Sequence, residues 1–249
     1  MRKFGLIGYP LRHSFSRKYF TEKFSLEHIR DCSYENYPLT TIGQLPDLIL
    51  YENIDGLNVT IPYKSAVIRY LDKIDPEADA IGAVNVIKVR RMKDKAELSG
   101  FNSDITGIRD TLTPVINSEI KNALVLGTGG SSKAVCYVLE EINVQYTLIS
   151  REKKSGCLTY PDINPEIIRN TQLIINTTPL GMYPEADSKP DLKYDLLGSK
   201  HILFDLVYNP EITTFLRMGK ESGCTIISGL KMLHSQAEKS WEIWNNDSF

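Results

Sequence analysis

The fold is decided by residues 122–139, NALVLGTGGSSKAVCYVL. A buried-strand run ends at Leu126, small residues fill positions 127–132, and a helical pattern follows from Lys133. Glycines in such a turn let the backbone approach a pyrophosphate, and the helix N-terminus supplies N–H donors. The stretch therefore predicts a dinucleotide-binding turn, with Ser132 where a third glycine usually stands. A tight connection with no ligand is the alternative interpretation.

The tip of the next strand bears on which dinucleotide is bound. The run Gln145–Ser150 ends in Ser150-Arg151-Glu152-Lys153-Lys154, roughly 20 residues beyond the turn. An NAD site places an acidic residue there, and an NADP site places a basic one. Arg151 favours NADP because a guanidinium pairs with a phosphate in a bidentate manner. Glu152 leaves NAD open.

Elsewhere, short apolar stretches alternate with segments of helical period, which indicates βα units and a largely parallel sheet. The predicted strands are 4–7, 33–37, 56–59, 84–89, 123–126, 147–150, 173–176, 202–206 and 225–227. The predicted helices include 64–71, 105–111, 132–141 and 211–220, and the charged residues 89–95 indicate a hairpin. Apolar residues at steps of three and four predict a long C-terminal helix that docks on the rest: Leu230, Leu233, Ala237, Trp241 and Trp244.

Composition excludes several classes of protein. The 249 residues fit one large or two small domains, and the formal charge of −2 argues against broad binding of nucleic acid or anionic membrane. The N-terminus lacks a signal-peptide core, and no run approaches the ~18 apolar residues of a membrane helix. The four cysteines form no CxxC pair, and the histidines have no metal-ligand spacing. We expect a reduced, cytoplasmic protein without a metal.

Polar side chains recur where the predicted strands of the first hundred residues end. Lys64 follows Asn58-Val-Thr60-Ile-Pro62, so we expect it in the first turn of a helix. The helix dipole opposes a cation at that position, and this suits an acid–base group. Taken singly, Lys64 is explained as a surface lysine, and Ser103 or Asp104 is explained as a helix cap. Ligand sites of α/β folds lie at the ends of strands, so the recurrence favours a binding site.

Seven motifs occur in order over nearly the whole chain. They are Gly8-x-Pro10-x-x-His13-Ser14-x-Ser16, Asn58-Val59-Thr60-x-Pro62-x-Lys64, Gly82-Ala83-Val84-Asn85, Asn102-Ser103-Asp104-x-x-Gly107, Gly127-x-Gly129-Gly130, Asn176-x-Thr178-Pro179-x-Gly181-Met182 and Gly229-x-x-Met232-Leu233-x-x-Gln236-Ala237. Together they resemble the NADP-dependent shikimate dehydrogenase family.

The resemblance implies an α/β protein with an N-terminal substrate domain facing a Rossmann-like dinucleotide-binding domain across a cleft. The substrate domain would comprise residues 1–103 and 232–249, and the NADP domain residues 104–231. The implied reaction is the reversible reduction of 3-dehydroshikimate to shikimate in chorismate and aromatic amino-acid biosynthesis. The implied partners are a small-molecule substrate and NADP, with the protein a monomer or homodimer.

The resemblance also implies roles for particular residues. Lys64 and Asp104 would be the catalytic pair. The implied substrate-binding residues are Ser14, Ser16, Asn58, Thr60, Asn85, Tyr208 and Gln236. The implied cofactor-binding residues are Gly127, Thr128, Gly129, Gly130, Ser131, Ser150, Arg151, Lys154, Thr177, Leu206, Gly229 and Met232.

The chain departs from the family pattern at three places. Arg17-Lys18 follows Ser16 where a proline is usual, Ser150-Arg151-Glu152 replaces Asn-Arg-Thr, and Ser103 replaces a threonine. Two alternatives follow. One is a quinate/shikimate dehydrogenase that uses NAD, suggested by Glu152. The other is a catalytically silent ligand-binding homologue on the same scaffold, against which the presence of Lys64 and Asp104 counts.

Overall fold

A computed structural model describes residues 1–11, 15–93 and 95–246. The chain forms two compact units: unit 1 comprises residues 1–103 and the segment from Ala237, and unit 2 runs from Asp104 to Gln236. Each unit contains its own six-stranded sheet and α-helices, which confirms the predicted α/β class. No helix among the described residues is long and apolar enough to cross a membrane.

Strands and helices are interspersed along the described residues. The strands are β1 (Arg2–Gly8), β2 (Cys32–Pro38), β3 (Ile54–Val59), β4 (Lys73–Ile74), β5 (Val86–Arg91), β6 (Ala96–Phe101), β7 (Asn122–Leu126), β8 (Gln145–Ser150), β9 (Cys157–Thr159), β10 (Leu173–Asn176), β11 (Ile202–Asp205) and β12 (Thr225–Ile227). The α-helices are α1 (Phe15–Leu26), α2 (Leu45–Glu52), α3 (Pro76–Ile81), α4 (Ser103–Leu112), α5 (Gly130–Glu141), α6 (Pro165–Asn170), α7 (Thr214–Glu221) and α8 (Leu230–Asn245). The predicted domain boundary at residue 232 and the unit boundary at Ala237 both fall within α8.

The sheet of unit 1 has the order β2-β1-β3-β5-β6-β4. Strand β1 pairs in parallel with β2 and β3, whereas β5 is antiparallel to both β3 and β6. This sheet is therefore mixed rather than largely parallel. The hairpin expected around residues 89–95 joins β5 to β6.

The terminal helix α8 docks on unit 1 through its aromatic residues, as its apolar stripe predicts. Trp244 stacks on Phe4 with ring centroids 4.7 Å apart, and its indole N–H donates to the Ile87 carbonyl at 3.0 Å. Phe20 of α1 packs 5.5 Å from the same indole, between ring centroids. The indole thus combines a buried apolar body with a satisfied polar tip.

The sheet of unit 2 is parallel throughout, in the order β12-β11-β10-β7-β8-β9. After β7 the chain adds β8 and β9 on one side, and then β10, β11 and β12 on the other. The strand order therefore reverses between β7 and β10. In an open α/β sheet, the carboxyl ends of the strands at this reversal form the usual ligand crevice.

The predicted helix over residues 64–71 is wrong. This segment is a series of turns that ends in a 3-10 helix, Ile68–Tyr70. The Lys64 carbonyl accepts from the Val84 N–H at 2.7 Å, and the Ile68 N–H donates to the Ser65 carbonyl at 3.4 Å rather than to Lys64, as an α-helix would require. Lys64 consequently lies outside any helical first turn, and the dipole argument for its acid–base role does not hold.

Helix α7 begins at Thr214, after the predicted start at residue 211. Thr213 has an extended backbone, and its hydroxyl accepts from the Leu216 N–H at 3.3 Å. This N-cap satisfies one of the donors that a helix start leaves unpaired and fixes where the helix begins.

We expect Gly56→Ala to destabilise the protein. A Cβ at Gly56 would lie 2.4 Å from the indole nitrogen of Trp244, which is held by its bond to Ile87. Overpacking of this kind costs about 1–3 kcal/mol, measurable as a lower free energy of unfolding in urea. The matched control is Gly43→Ala, whose Cβ would lie 3.6 Å from its nearest neighbour, Thr41 Oγ1. Equal stability losses in the two variants would contradict the packing argument.

Candidate active site

The turn after β7 has the geometry that a pyrophosphate site requires. Gly127 has a φ of +113°, and a Cβ there would lie 2.6 Å from Thr177 Oγ1, so only glycine fits. Gly129 is the N-cap of α5, and a Cβ added to it would meet nothing within 4 Å. Gly130 and Ser131 form the first turn of α5, where the backbone N–H groups point toward the N-terminal end of the helix.

Ser132 stands where a third glycine is usual, and it stabilises the turn. Its side chain is buried, and its hydroxyl donates to the Gly129 carbonyl at 2.6 Å. The serine thus braces the turn from inside and leaves the opposite side of Gly129 open.

The tip of β8 lies beside this turn. Lys154 Nζ donates to Thr128 Oγ1 at 3.3 Å, which joins the tip to the glycine turn. Ser150 is buried and accepts from the Glu152 N–H at 3.4 Å, whereas Arg151 is exposed. The tip therefore presents a guanidinium and an ammonium group to solvent close to the turn.

The loops after β10 and β11 are tied together by a buried amide and carboxylate. Asn176 Nδ2 donates to Asp205 Oδ1 at 2.9 Å, and Asn176 Oδ1 accepts from the Thr178 N–H and hydroxyl. Asp205 also accepts from the Val207 N–H at 3.0 Å and the Thr213 hydroxyl at 2.5 Å. These bonds fix the start of the loop that carries Leu206 and Tyr208.

The carboxyl group of Asp205 is fully buried, and this alters its ionisation. Burial raises the pKa of Asp205 to about 6, while its bonds from Thr213, Val207 and Asn176 act in the opposite direction. Desolvation therefore outweighs the three donors.

Other residues that the resemblance implies for cofactor binding are held against neighbouring elements of unit 2. A Cβ at Gly229 would lie 2.5 Å from the Leu206 carbonyl oxygen, so this glycine permits close contact between the loop after β11 and the start of α8. Met232 is buried, and its carbonyl oxygen would lie 2.6 Å from a Cβ at Gly107 of α4. Thr177 donates to the Leu126 carbonyl at 2.7 Å, which places it at the glycine turn.

Unit 1 contains a buried polar network at the end of β3. Tyr34 Oη donates to Asn58 Oδ1 at 2.8 Å, and Asn58 Nδ2 donates to Ser240 Oγ at 2.9 Å. The hydroxyls of Ser240 and Ser103 are 3.1 Å apart, and Asn85 Nδ2 donates to Ser103 Oγ at 3.1 Å. All five side chains are buried.

Asn85 belongs to the segment 82–85, which is held along its length by backbone bonds. Its N–H donates to the Phe101 carbonyl at 3.0 Å, and its carbonyl accepts from the Val59 N–H at 2.8 Å. One residue earlier, the Val84 N–H donates to the Lys64 carbonyl. The segment therefore links the backbones of Lys64 and Asn85.

The other predicted site residues have varied surroundings. Lys64, Thr60 and Ser16 are half-buried in unit 1, and Ser14 lies outside the described residues. In unit 2, Asp104 is buried in the first turn of α4, and Tyr208 is half-buried. Gln236, also half-buried, donates through Nε2 to the Leu233 carbonyl at 3.2 Å.

Comparison with known proteins agrees with the motifs. The family of shikimate dehydrogenase substrate binding domains matches residues 6–87. Shikimate dehydrogenase (NADP(+)) of Methanococcus aeolicus is 37% identical over 260 residues, covering 96% of this chain and 90% of the relative. The chain belongs to the shikimate dehydrogenase family.

Solved structures of this family have the same fold. Shikimate dehydrogenase 1 of Peptoclostridium difficile superposes with a TM-score of 0.84 at 36% identity, over 100% of this chain and 94% of that one. Shikimate 5-dehydrogenase of Thermus thermophilus, solved in complex with NADP(H) and shikimate, gives a TM-score of 0.82 at 30% identity, over 98% and 94% of the two chains.

Four residues of this shikimate dehydrogenase family member were missed by sequence reasoning: Tyr34, Asp205, Thr213 and Ser240. Two of them had a visible signal. Ser240 falls three residues after Ala237, on the face of α8 that is otherwise apolar, and Asp205 is a charge at the end of an apolar strand. Tyr34 carries no comparable signal, because its partner Asn58 is distant in sequence. Thr213 carries none, because it fell within the helix predicted over residues 211–220.

The raised pKa of Asp205 predicts a pH-dependent stability. Because the folded-state pKa of about 6 exceeds the unfolded value, the native state holds the proton more tightly, and its stability falls as the pH rises through 6. Relative to Asp205→Asn, which does not titrate, the wild-type free energy of unfolding should fall by about 2 kcal/mol between pH 4 and pH 7. Urea unfolding of both proteins across this range measures the difference, and a constant difference would contradict the assignment.

Proposed function

We propose that this protein catalyses the NADP-dependent, reversible reduction of 3-dehydroshikimate to shikimate. The observation that carries the proposal is the open glycine turn at the strand-order reversal of unit 2, in a chain of this family that retains Lys64 and Asp104. Unit 1, which contains the segment matched by the substrate-binding domain family, supplies most of the proposed substrate-binding residues, and unit 2 supplies the proposed NADP-binding residues.

The residues of unit 2 fit NADP chemically. The open side of Gly129, where no side chain intrudes, would receive the diphosphate, and the first turn of α5 would supply N–H donors. Thr128, Gly130 and Ser131 complete this turn. At the tip of β8, Arg151 and Lys154 would offer positive charge to the 2′-phosphate. Leu206, Gly229 and Met232 would hold the nicotinamide end.

Lys64 and Asp104 carry the proton chemistry. When bound, NADPH supplies the hydride that reduces the ketone. Negative charge then develops on the ketone oxygen, and Lys64 Nζ stabilises this charge and donates a proton to the oxygen. Asp104, an acceptor when ionised, receives a hydrogen bond from a substrate hydroxyl and orients it.

The substrate is held by small polar side chains rather than by an excess of positive charge. Ser14 and Ser16 donate to its carboxylate, and Thr60, Asn85, Tyr208 and Gln236 bind its hydroxyls. A site built to hydrogen-bond several hydroxyls rejects analogues that lack them, because its polar groups would then be left unpaired.

We expect Lys64→Ala and Asp104→Asn each to lower kcat for shikimate oxidation by ~10²- to 10⁴-fold, since each removes a proton-handling group. NADPH formation followed by absorbance measures the loss. The matched controls are the exposed residues Lys18 and Asp110, changed to Ala and Asn, which should retain wild-type rates. Wild-type turnover in either site variant would contradict the role assigned to that residue.

Arg151→Ala should raise the KM for NADP by ~10-fold and leave turnover with NAD unchanged, because NAD lacks the 2′-phosphate. The control is Arg169→Ala, an exposed arginine at the end of α6. The assay measures turnover of shikimate and of quinate, each with NADP and with NAD. Comparable efficiency of the wild type with quinate and NAD would contradict the proposed specificity in favour of the quinate/shikimate alternative.

A further inference from the structure

The side chain of Asn85 is oriented by the protein before any substrate binds. Its Oδ1 accepts from the Ser103 N–H at 2.7 Å, and its Nδ2 donates to Ser103 Oγ at 3.1 Å. A backbone N–H can only donate, so the first bond determines which end of the amide is the oxygen. Ser103 therefore sets the orientation of a side chain assigned above to the substrate.

Asn58 holds Asn85 from the other side. Asn58 Nδ2 lies 3.4 Å from the Asn85 carbonyl oxygen, an acceptor, and this fixes the amide of Asn58 with its nitrogen toward Asn85. Its Oδ1 then accepts from the Tyr34 hydroxyl. Both polar ends of Asn58 are thus used within the protein, which suits a positioning role better than direct contact with substrate.

Ser240 joins these two supports. Its Oγ accepts from Asn58 Nδ2 at 2.9 Å and lies 3.1 Å from Ser103 Oγ, so one fully buried hydroxyl contacts both side chains that hold Asn85. Ser240 is on α8, far in sequence from the other members, and it is the contact through which the docked helix reaches the network. A buried polar network is costly when incompletely satisfied and defines one arrangement when its bonds are made.

We propose that Ser240 is a positioning residue for substrate binding: through Asn58 and Ser103, it fixes the amide of Asn85 in the orientation that receives a substrate hydroxyl. The inference rests on the proposed function. It explains a fully buried serine on the apolar face of α8, where alanine would pack and would favour the helix.

The test is Ser240→Ala, which removes only the hydroxyl at a site where alanine is compatible with a helix. Loss of the two network contacts of this hydroxyl should raise the KM for shikimate, and its dissociation constant by calorimetry, by ~5- to 10-fold. The KM for NADP should stay within ~2-fold of wild type, and the melting temperature should fall, because buried Asn58 and Ser103 each lose a partner. A purely structural role would lower the melting temperature and leave the KM for shikimate unchanged, or would move both KM values together.

The matched control is Ser99→Ala. Ser99 is a buried serine of β6 in the same unit, and its hydroxyl makes no hydrogen bond among the described residues. This variant should bind shikimate like the wild type, and Asn85→Ala should show a larger loss than Ser240→Ala. If Ser240→Ala matches Ser99→Ala while the wild type turns over shikimate, the positioning role is overturned and the proposed function stands. If the wild type does not turn over shikimate, the proposed function itself fails.

Discussion

Buried asparagine side chains at the ends of strands are the interactions on which both units depend. Where a strand ends and the chain turns away, backbone N–H and C=O groups lose their ladder partners, and burying them unpaired is costly. An asparagine side chain carries both a donor and an acceptor, so it can replace part of the ladder. Asn58 does this at the end of β3, and Asn176 does it at the end of β10.

The same arrangement supports the residues that are proposed to bind ligand. In unit 2, Asn176 and Asp205 tie together the loops that carry Thr177 and Leu206, and Thr177 donates to the Leu126 carbonyl beside the glycine turn. In unit 1, Asn58 and Ser103 hold Asn85. The polar groups proposed to contact ligand therefore adjoin groups that hold the backbone, and rigid support of this kind favours precise binding.

The sequence predicted much of this because the relevant signals are local. The strand, turn and helix around Gly127 follow from apolar period and glycine placement within 18 residues. The helix expected at 64–71 is absent: the Lys64 carbonyl accepts from the Val84 N–H, twenty residues later, and the Ile68 N–H donates to the Ser65 carbonyl instead. Apolar period describes which face is buried, but it carries no information on which distant donor reaches a given carbonyl.

The sequence by itself determined the α/β class, the glycine turn between β7 and α5, the docking face of α8 and the set of motifs that identifies the family. Only the tertiary structure decided that Ser240 meets Asn58 and Ser103, that Asp205 is buried beneath the loop it holds, and that Ser132 braces the turn. The physical reason is the separation along the chain over which each interaction acts. Periodicity and turn chemistry act between near neighbours in the chain, whereas hydrogen bonds between buried side chains join residues up to 182 positions apart.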